Sequence, residues 1–226
     1  TLPVPALGQG FAGLGSDADG FAIPQPDPTF RFPADHGAHP EFRIEWWYVT
    51  AILDGADGRQ YGIQWTLFRS ALAPEDRAGW DSPQIWFAHA GLPTPERHIV
   101  GEPLARDFAY TLALVAEGPL VFQGQNGFSL KSATGQASYY YAQPFYRVTG
   151  QLDLPDGPIG VTGQAWLDRE WSSQPLEANQ TGWDWFSLHL DGGEKLMAFR
   201  LRDDGPGYAQ ANWITADGEN SHIGDG

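Results

Sequence analysis

Two carboxylic acids in the segment Trp166-Leu167-Asp168-Arg169-Glu170-Trp171 are the residues of this sequence best suited to chemistry. In a β-strand alternate side chains share a face, so Trp166, Asp168 and Glu170 lie together, with the two acids about 6.6 Å apart. If that face is enclosed, repulsion raises the pKa of one acid, which could then protonate a substrate. The alternative is a solvent-exposed face on which Asp168, Arg169 and Glu170 are ordinary surface charges. The flanking tryptophans favour the enclosed face.

Glu45-Trp46-Trp47-Tyr48 is a second unusual cluster, in which an acid precedes three large aromatic residues. On a strand, these rings would line a ligand cavity on one face and seal the interior on the other. Aromatic residues dominate protein cores as well as ligand pockets. The alternative is therefore core packing, with Glu45 paired to a buried arginine such as Arg43 or Arg69.

A histidine-containing loop precedes this cluster. Asp35, His36 and His39 could bind a metal together with Glu45 or His89, because imidazole and carboxylate groups are common metal ligands. The segment is loop-like, so we predict no metal, and His36 and His39 are the candidates if one is bound. The sequence contains no Gly-x-Ser-x-Gly elbow, Walker loop or dinucleotide fingerprint, which disfavours serine-nucleophile and nucleotide chemistry.

The elements that must position these residues are β-strands. The chain contains 28 glycines and 18 prolines, and no stretch keeps a helical apolar period for long. Residues 44–53 and 61–69 alternate around a loop rich in Gly and Asp, which predicts a hairpin, and Gly192-Gly193 predicts a second hairpin between strands at 183–190 and 195–202. Further strands are predicted at residues 85–90, 108–116, 120–123, 138–141, 146–152, 159–171 and 208–214.

Many short antiparallel strands must close or stack to cover their edges. We therefore predict an all-β fold, either a meandering antiparallel β-barrel or a sandwich, of which a barrel with an internal cavity fits best. Residues 1–35 carry clustered Gly, Pro and Asp and are interpreted as an extended arm, with the barrel domain at 36–226.

Composition restricts the partners and the compartment. The net charge of −15 comes from 28 acidic and 13 scattered basic residues, which disfavours nucleic acid and anionic membranes as partners. The absence of cysteine excludes disulfides and fits either a reducing cytosol or an export route without disulfides. No run approaches the ~20 apolar residues of a spanning helix, so no stable membrane insertion is expected. The first residues, Thr1-Leu2-Pro3-Val4-Pro5, are typical of a mature end after signal removal.

Seven segments carry a family resemblance: residues 35–40, 45–50, 88–90, 118–121, 138–141, 163–171 and 182–186. Together they resemble the lipocalin-like family that joins bacterial AttH proteins, described as secreted hydrolases, with the carotenoid 1,2-hydratases, also called hydroxyneurosporene synthases. The similarity is greatest to the AttH branch. It implies tandem lipocalin-like β-barrels, the second starting after about residue 205 and truncated here. It also implies a periplasmic or secreted protein with an apolar ligand and an envelope transport partner.

The hydratase branch also implies a mechanism. In that branch an aspartate protonates an isolated double bond and water then adds to the tertiary cation, a reaction that needs no cofactor. Asp168 matches that aspartate. Trp166 stands where the hydratase pattern has a tyrosine, and Tyr139 and Tyr141 take the places of an upstream histidine and tryptophan. With Glu170, these four residues form the predicted catalytic set.

The leading hypothesis is an exported lipocalin-like protein that encloses a terpenoid, carotenoid or lipid and acts on it as a hydratase or hydrolase through Asp168. The predicted ligand-binding residues are Glu45, Trp46, Trp47, Tyr48, His89, Trp183 and Trp185. One alternative is a carrier without chemistry, in which Asp168 and Glu170 pair with Arg169 or Arg147. A further alternative is a glycan-binding or glycan-cleaving protein, since tryptophan platforms beside carboxylates also describe glycosidase clefts.

Overall fold

The structure is a computed structural model that describes residues 19–75, 77–95, 98–101 (main chain only), 108–174, 176, 177 and 179–223. Within these residues the chain is almost entirely β. The strands are β1 (Ile44–Gly55), β2 (Gln60–Ala71), β3 (Gln84–Pro93), β4 (His98–Gly101), β5 (Ala109–Ala116), β6 (Val121–Phe122), β7 (Phe128–Leu130), β8 (Ala137–Leu154), β9 (Gly157–Ser172), β10 (Gly182–His189), β11 (Lys195–Arg202), β12 (Tyr208–Ile214) and β13 (Asn220–Ile223). Short 3₁₀ helices lie at Ala34–His36 and Gly79–Asp81.

The strands form two antiparallel sheets. The first has the order β4-β3-β2-β1-β9-β8-β5, with β6 and β7 also paired to β8, and the second is the meander β10-β11-β12-β13. The predicted all-β antiparallel fold is confirmed. The predicted closure is not: among the described strands no ladder joins the two sheets, which stack instead of forming a barrel. Stacked and closed sheets both consist of strands with period two, so the sequence pattern does not distinguish them.

Both predicted hairpins are present. Gly58 and Gly193 adopt φ values of +79° and +93°, a conformation that glycine tolerates without steric cost. The strands predicted at 138–141 and 146–152 are instead one strand, β8, with a bulge between Gln143 and Tyr146. Pro144 lies inside this bulge, where its missing N–H disrupts no regular ladder. The short strands β4, β7 and β13 were not predicted, because three or four residues show no alternation.

The C-terminal half of β9 is covered on both faces. One face packs against the second sheet through a cluster that includes Trp166, Met197 and Ile214. The other packs against residues before β1: Phe42 belongs to the same cluster as Trp171, and the His39 ring stacks on Trp171. The solvent-face alternative for this segment is therefore wrong.

Residues 19–43 contain no strand. Residues 1–18 of the predicted arm lie outside the described residues, so the arm boundary and the second barrel stay predictions. In the described part of the chain no helix is long and apolar enough to cross a membrane.

Candidate functional site

A cavity of about 490 Å³ lies between the two sheets. It is lined mainly by aromatic and aliphatic side chains from β1, β2 and β3 of the first sheet and from β10 and β11 of the second, with polar groups contributed by β8 and β9. Its size falls in the range of pockets that enclose small organic ligands. The lining includes Trp46, Tyr48, Phe68, His89, Tyr140, Trp183, Trp185, Phe199, Leu201, Asp168 and Glu170.

Most of the predicted ligand-binding residues line this cavity. They are Glu45, Trp46, Tyr48, His89, Trp183 and Trp185. The exception is Trp47, whose ring stacks on the guanidinium of Arg169, with its centroid 3.7 Å from Cζ. Alternation along β1 explains the difference: Trp46 is paired in register with Glu170, whereas Trp47 is paired with Arg169 on the opposite face. Glu45 belongs to that opposite face as well: it borders the cavity, but it is 0% exposed and its carboxylate pairs with Arg69 and Arg169.

Asp168 is buried in the wall of the cavity, with 2% of its surface exposed. The Tyr140 hydroxyl donates to Asp168 Oδ1 at 2.6 Å, and the Trp166 indole N–H donates to the same oxygen at 2.8 Å. Oδ2 is buried and has no hydrogen-bond partner among the described residues. Because two donors already occupy Oδ1, a proton on this carboxyl group is held at Oδ2.

Burial raises the pKa of Asp168 from 3.8 to about 7. The hydrogen bonds from Tyr140 and Trp166 act in the opposite direction, while the neighbouring charge of Glu170 raises the pKa further. A substantial fraction of Asp168 is therefore neutral near pH 7. In that state it can donate the Oδ2 proton to a group in the cavity.

Glu170 is also buried, but it has a cationic partner. Its Oε1 accepts hydrogen bonds from the Lys131 ammonium group at 2.7 Å and from the Ser138 hydroxyl. Lys131 is further held over the ring of Phe199, 4.2 Å from its centroid. The two neighbouring acids thus differ in environment: among the described residues Glu170 has an ion-pair partner and Asp168 has none. This asymmetry is typical of sites in which one carboxyl group gives a proton and another receives one.

Tyr140 was not among the predicted site residues, although it organises the site. Its hydroxyl donates to Asp168 and accepts a hydrogen bond from the Trp185 indole N–H at 3.2 Å, which joins the two sheets beside the acid. The Trp185 ring in turn packs on Tyr48, with a centroid distance of 5.4 Å. Tyr140 is paired in register with Glu170 of β9, and this pairing places its side chain on the same face of the sheet as Asp168 and Glu170. Knowledge of this register would have identified Tyr140.

The side chains of Tyr139 and Tyr141 lie on one face of the first sheet, and the side chain of Asp168 lies on the other. Tyr141 is 0% exposed and packs against Trp171 and Phe30. The Tyr139 hydroxyl accepts a hydrogen bond from the main-chain N–H of Gln25. The structure therefore brings Trp166, Asp168 and Glu170 of the predicted catalytic set together and does not bring Tyr139 and Tyr141 to them.

Glu45 is the centre of a buried charge cluster. One carboxyl oxygen accepts from Arg69 and from the main-chain N–H of His39, and the other accepts from Arg169 at 2.7 Å. The two arginines also donate to the carbonyls of His39, Phe42 and Gly37, which anchors the loop before β1 to the sheet. The predicted pairing of Glu45 with Arg69 is confirmed, while Arg43 instead lies over the ring of Phe21.

The histidine loop contributes to packing. The His39 ring stacks on Trp171 with centroids 4.0 Å apart, and its Nδ1 lies 3.2 Å from Glu45 Oε2. His36 Nδ1 lies 2.8 Å from the Tyr141 hydroxyl oxygen. Across the residues that the structure describes, no three His, Asp or Glu side chains are grouped as metal ligands would be.

The carrier alternative predicts that Asp168 and Glu170 form ion pairs with Arg169 or Arg147. The structure shows other partners for both arginines. Arg169 pairs with Glu45, and Arg147 pairs with Glu117. Neither reaches Asp168 or Glu170, so the pairing proposed for the carrier alternative is wrong.

Tyr140→Phe is expected to raise the pKa of Asp168 above its present value of about 7, because the variant removes a hydrogen bond that lowers that pKa. The measurement is a pH titration of the carboxyl C=O band in the infrared, with Asp168→Asn used to assign the band. Tyr139→Phe is the matched control: it removes a hydroxyl on the other face of the same strand and should leave the midpoint unchanged. A lower midpoint in Tyr140→Phe would contradict the geometry.

Known proteins resemble this chain in sequence and in structure. The family model described as AttH-like matches residues 23–108 and 102–226. A crystal structure of a Nitrosomonas europaea protein assigned to AttH is 37% identical, has a TM-score of 0.78, and aligns over 90% of this chain and 75% of its own. Kievitone hydratase from Nectria haematococca is 15% identical, has a TM-score of 0.57, and aligns over 90% and 71%, a likeness in fold alone. No curated protein matches the chain.

Proposed function

The chain belongs to the AttH-like family, and from that premise we propose that it encloses an apolar small molecule and acts on it by acid catalysis through Asp168. The observation that carries the proposal is the Asp168 carboxyl group itself. It is buried in the wall of an aromatic cavity, its Oδ1 is held by two donors, and its Oδ2 has no partner among the described residues. This arrangement holds a transferable proton next to the ligand space.

The cavity wall supports an apolar ligand. Trp46, Tyr48, Phe68, Trp185 and Phe199 present rings to the space, and such rings bury large apolar area. A terpenoid, a carotenoid segment or a lipid chain fits this chemistry better than a sugar does. Glycan cleavage requires carboxyl groups on both sides of the scissile bond, whereas Asp168 and Glu170 are two residues apart on one strand.

The reaction that fits the two acids is addition of water to an isolated carbon–carbon double bond. Asp168 gives its Oδ2 proton to one carbon, and the neighbouring carbon becomes a tertiary cation, which the faces of Tyr48 and Trp185 can stabilise. Water adds to the cation and passes a proton to the Glu170 carboxylate. Return of that proton to Asp168, through water, restores the site, so the net change is addition of one water molecule.

A carrier without chemistry is the second candidate, because an aromatic cavity between two sheets by itself suffices for binding. Export to the periplasm or beyond, and an envelope transport partner, also stay predictions from the family resemblance.

We expect the purified protein to retain or bind an apolar molecule in this cavity. The experiment is solvent extraction and native mass spectrometry of the protein as isolated and after incubation with geraniol, farnesol or geranylgeraniol. Thr66→Phe places a ring in the cavity and should abolish binding, whereas Thr111→Phe, at an exposed position on β5, should not. Binding with formation of a product 18 mass units heavier supports the full proposal. Binding without product restricts it to a carrier, and failure to bind any apolar molecule contradicts it.

A further inference from the structure

A second pocket, of about 460 Å³, lies beside the aromatic cavity. It is formed by residues 145–149 of β8 and 162–164 of β9, together with Glu117 and Lys195. Trp166, which is fully buried, stands between Gln164 and Asp168 on the same face of β9 and separates the pocket from the acid site. The pocket is therefore a distinct feature of the molecule.

Lys195 is the unusual residue of this pocket. Only 4% of its surface is exposed, and its ammonium group donates to the carbonyl of Gly193 at 2.8 Å and faces the ring of Phe145 at 5.5 Å. No carboxylate of the described residues lies within ion-pair distance of it. Burial lowers the pKa of Lys195, although the charge of Glu194 acts against this shift. A buried ammonium group without a counter-ion is costly unless a ligand supplies the opposite charge.

The neighbour of Lys195 across the sheet does not supply that charge. His189 is its register partner in β10, and burial lowers the pKa of His189 to about 4, so the imidazole is neutral at pH 7. Its Nδ1 is buried and has no hydrogen-bond partner among the described residues. In β12 the register partner of Lys195 is Ile214, so neither register partner of Lys195 is anionic.

Three exposed polar side chains of the lining could hold an anion beside Lys195. Thr149, Thr162 and Gln164 contribute hydroxyl and amide groups, which can donate hydrogen bonds. Arg147 lies at the rim, where it is paired with Glu117, the acid of this lining. The charges of the lining thus sum to one excess positive charge, that of Lys195, within a protein whose net charge is −15. Because the overall field repels anions, an anion held here must be bound by these local groups.

We propose that this pocket binds a small anion, a carboxylate or a phosphate, with Lys195 as its ionic partner and Gln164 and the two threonines as hydrogen-bond donors. The site is independent of the acid catalysis proposed for Asp168. Its occupant would supply the negative charge that the protein does not place next to Lys195.

The test is thermal unfolding of the full chain in sodium acetate or sodium phosphate, with sodium chloride used to keep the ionic strength constant. We expect the midpoint to rise by about 3 to 5 °C when the bound anion is at ten times its dissociation constant. A response to acetate identifies a carboxylate site, and a response to phosphate alone identifies a phosphate site. Lys195→Met should abolish the response and, without anion, should be at least as stable as the unmodified protein.

Lys131→Met is the matched control, because Lys131 and Lys195 are the two lysines of the chain. That variant should keep the anion response, as should Arg59→Met, at an exposed side chain. Gln164→Leu should weaken the response without abolishing it and provides a second variant if Lys195→Met does not fold. An equal response in Lys195→Met, or no response beyond that to sodium chloride, would overturn the proposal.

Discussion

Asp168→Asn is expected to lower the turnover of a terpenoid alkene by about 10²- to 10⁴-fold, the range associated with loss of a general acid, while binding stays nearly unchanged. The asparagine side chain keeps the shape of the aspartic acid. Its carbonyl oxygen can take the place of Oδ1 and accept the hydrogen bonds from Tyr140 and Trp166. What the variant loses is the titratable proton at Oδ2. Turnover and binding of geranylgeraniol, measured on the same preparations, check both halves of this expectation.

Glu170→Gln separates the two steps of the proposed reaction. It removes the group that accepts a proton from water and leaves the acid in place, so in D₂O the variant should still exchange deuterium into the alkene while forming little hydrated product. Asp168→Asn should do neither. Unchanged turnover in Asp168→Asn would exclude this residue as the acid, and loss of exchange in Glu170→Gln would exclude the division of roles.

The pH dependence of turnover follows from the protonation state of Asp168. Protonation of the alkene requires neutral Asp168, so the rate should fall about tenfold per pH unit above about pH 7. The stability of the fold depends on pH in the same direction as the rate: it falls as the pH rises. Because the folded pKa lies above the unfolded value of 3.8, the stabilising effect of neutral Asp168 is complete below pH 3.8 and is lost as the pH rises through about 7. At pH 8 Asp168→Asn avoids a cost of about 4 kcal/mol and should be at least as stable as the unmodified protein.

The sequence predicted which side chains of β9 share a face, but not which residue of the neighbouring strand contacts Asp168. Strict alternation along β9 places Trp166, Asp168 and Glu170 on one face, as observed. For β8 the family pattern pointed to Tyr139 and Tyr141, whereas Tyr140 is the residue that contacts Asp168. A shift of one residue moves a side chain to the other face of a strand, so the register between β8 and β9 has to be known before this residue can be chosen.

Other features of the site depend on contacts between distant parts of the chain. Lys131 lies outside the strands and pairs with Glu170, 39 positions later, which no local pattern indicates. The sequence left open whether Arg169 is a surface charge or a partner of the neighbouring acids, and the structure shows it fully buried against Glu45 of β1 instead. The choice between stacked sheets and a closed barrel could likewise not be made from the sequence, because only the pairing between strands distinguishes them.

Glu45→Gln is expected to destabilise the fold by about 3 to 5 kcal/mol, as is typical when one partner of a buried ion pair is removed. The Glu45 carboxylate is fully buried and neutralises two guanidinium groups, those of Arg69 and Arg169, which are themselves at most 1% exposed. A neutral amide leaves both positive charges buried beside each other. The free energy of unfolding from urea titrations measures the effect.

The pKa of Glu45 gives an independent estimate of how much this carboxylate stabilises the fold, and that estimate is of the same size. Burial alone would raise it, but the hydrogen bond from His39 and the charges of Arg169 and Arg69 hold the pKa at about 2, against 4.5 for the free side chain. This difference corresponds to about 3 kcal/mol of stability, present above pH 4.5 and lost as the pH falls through about 2. Glu45→Gln should therefore flatten the acid limb of the stability curve.

Glu117→Gln, which breaks a half-exposed pair, should cost at most about 1 kcal/mol. Equal losses in the two variants would mean that burial of the Glu45 cluster contributes nothing to the fold.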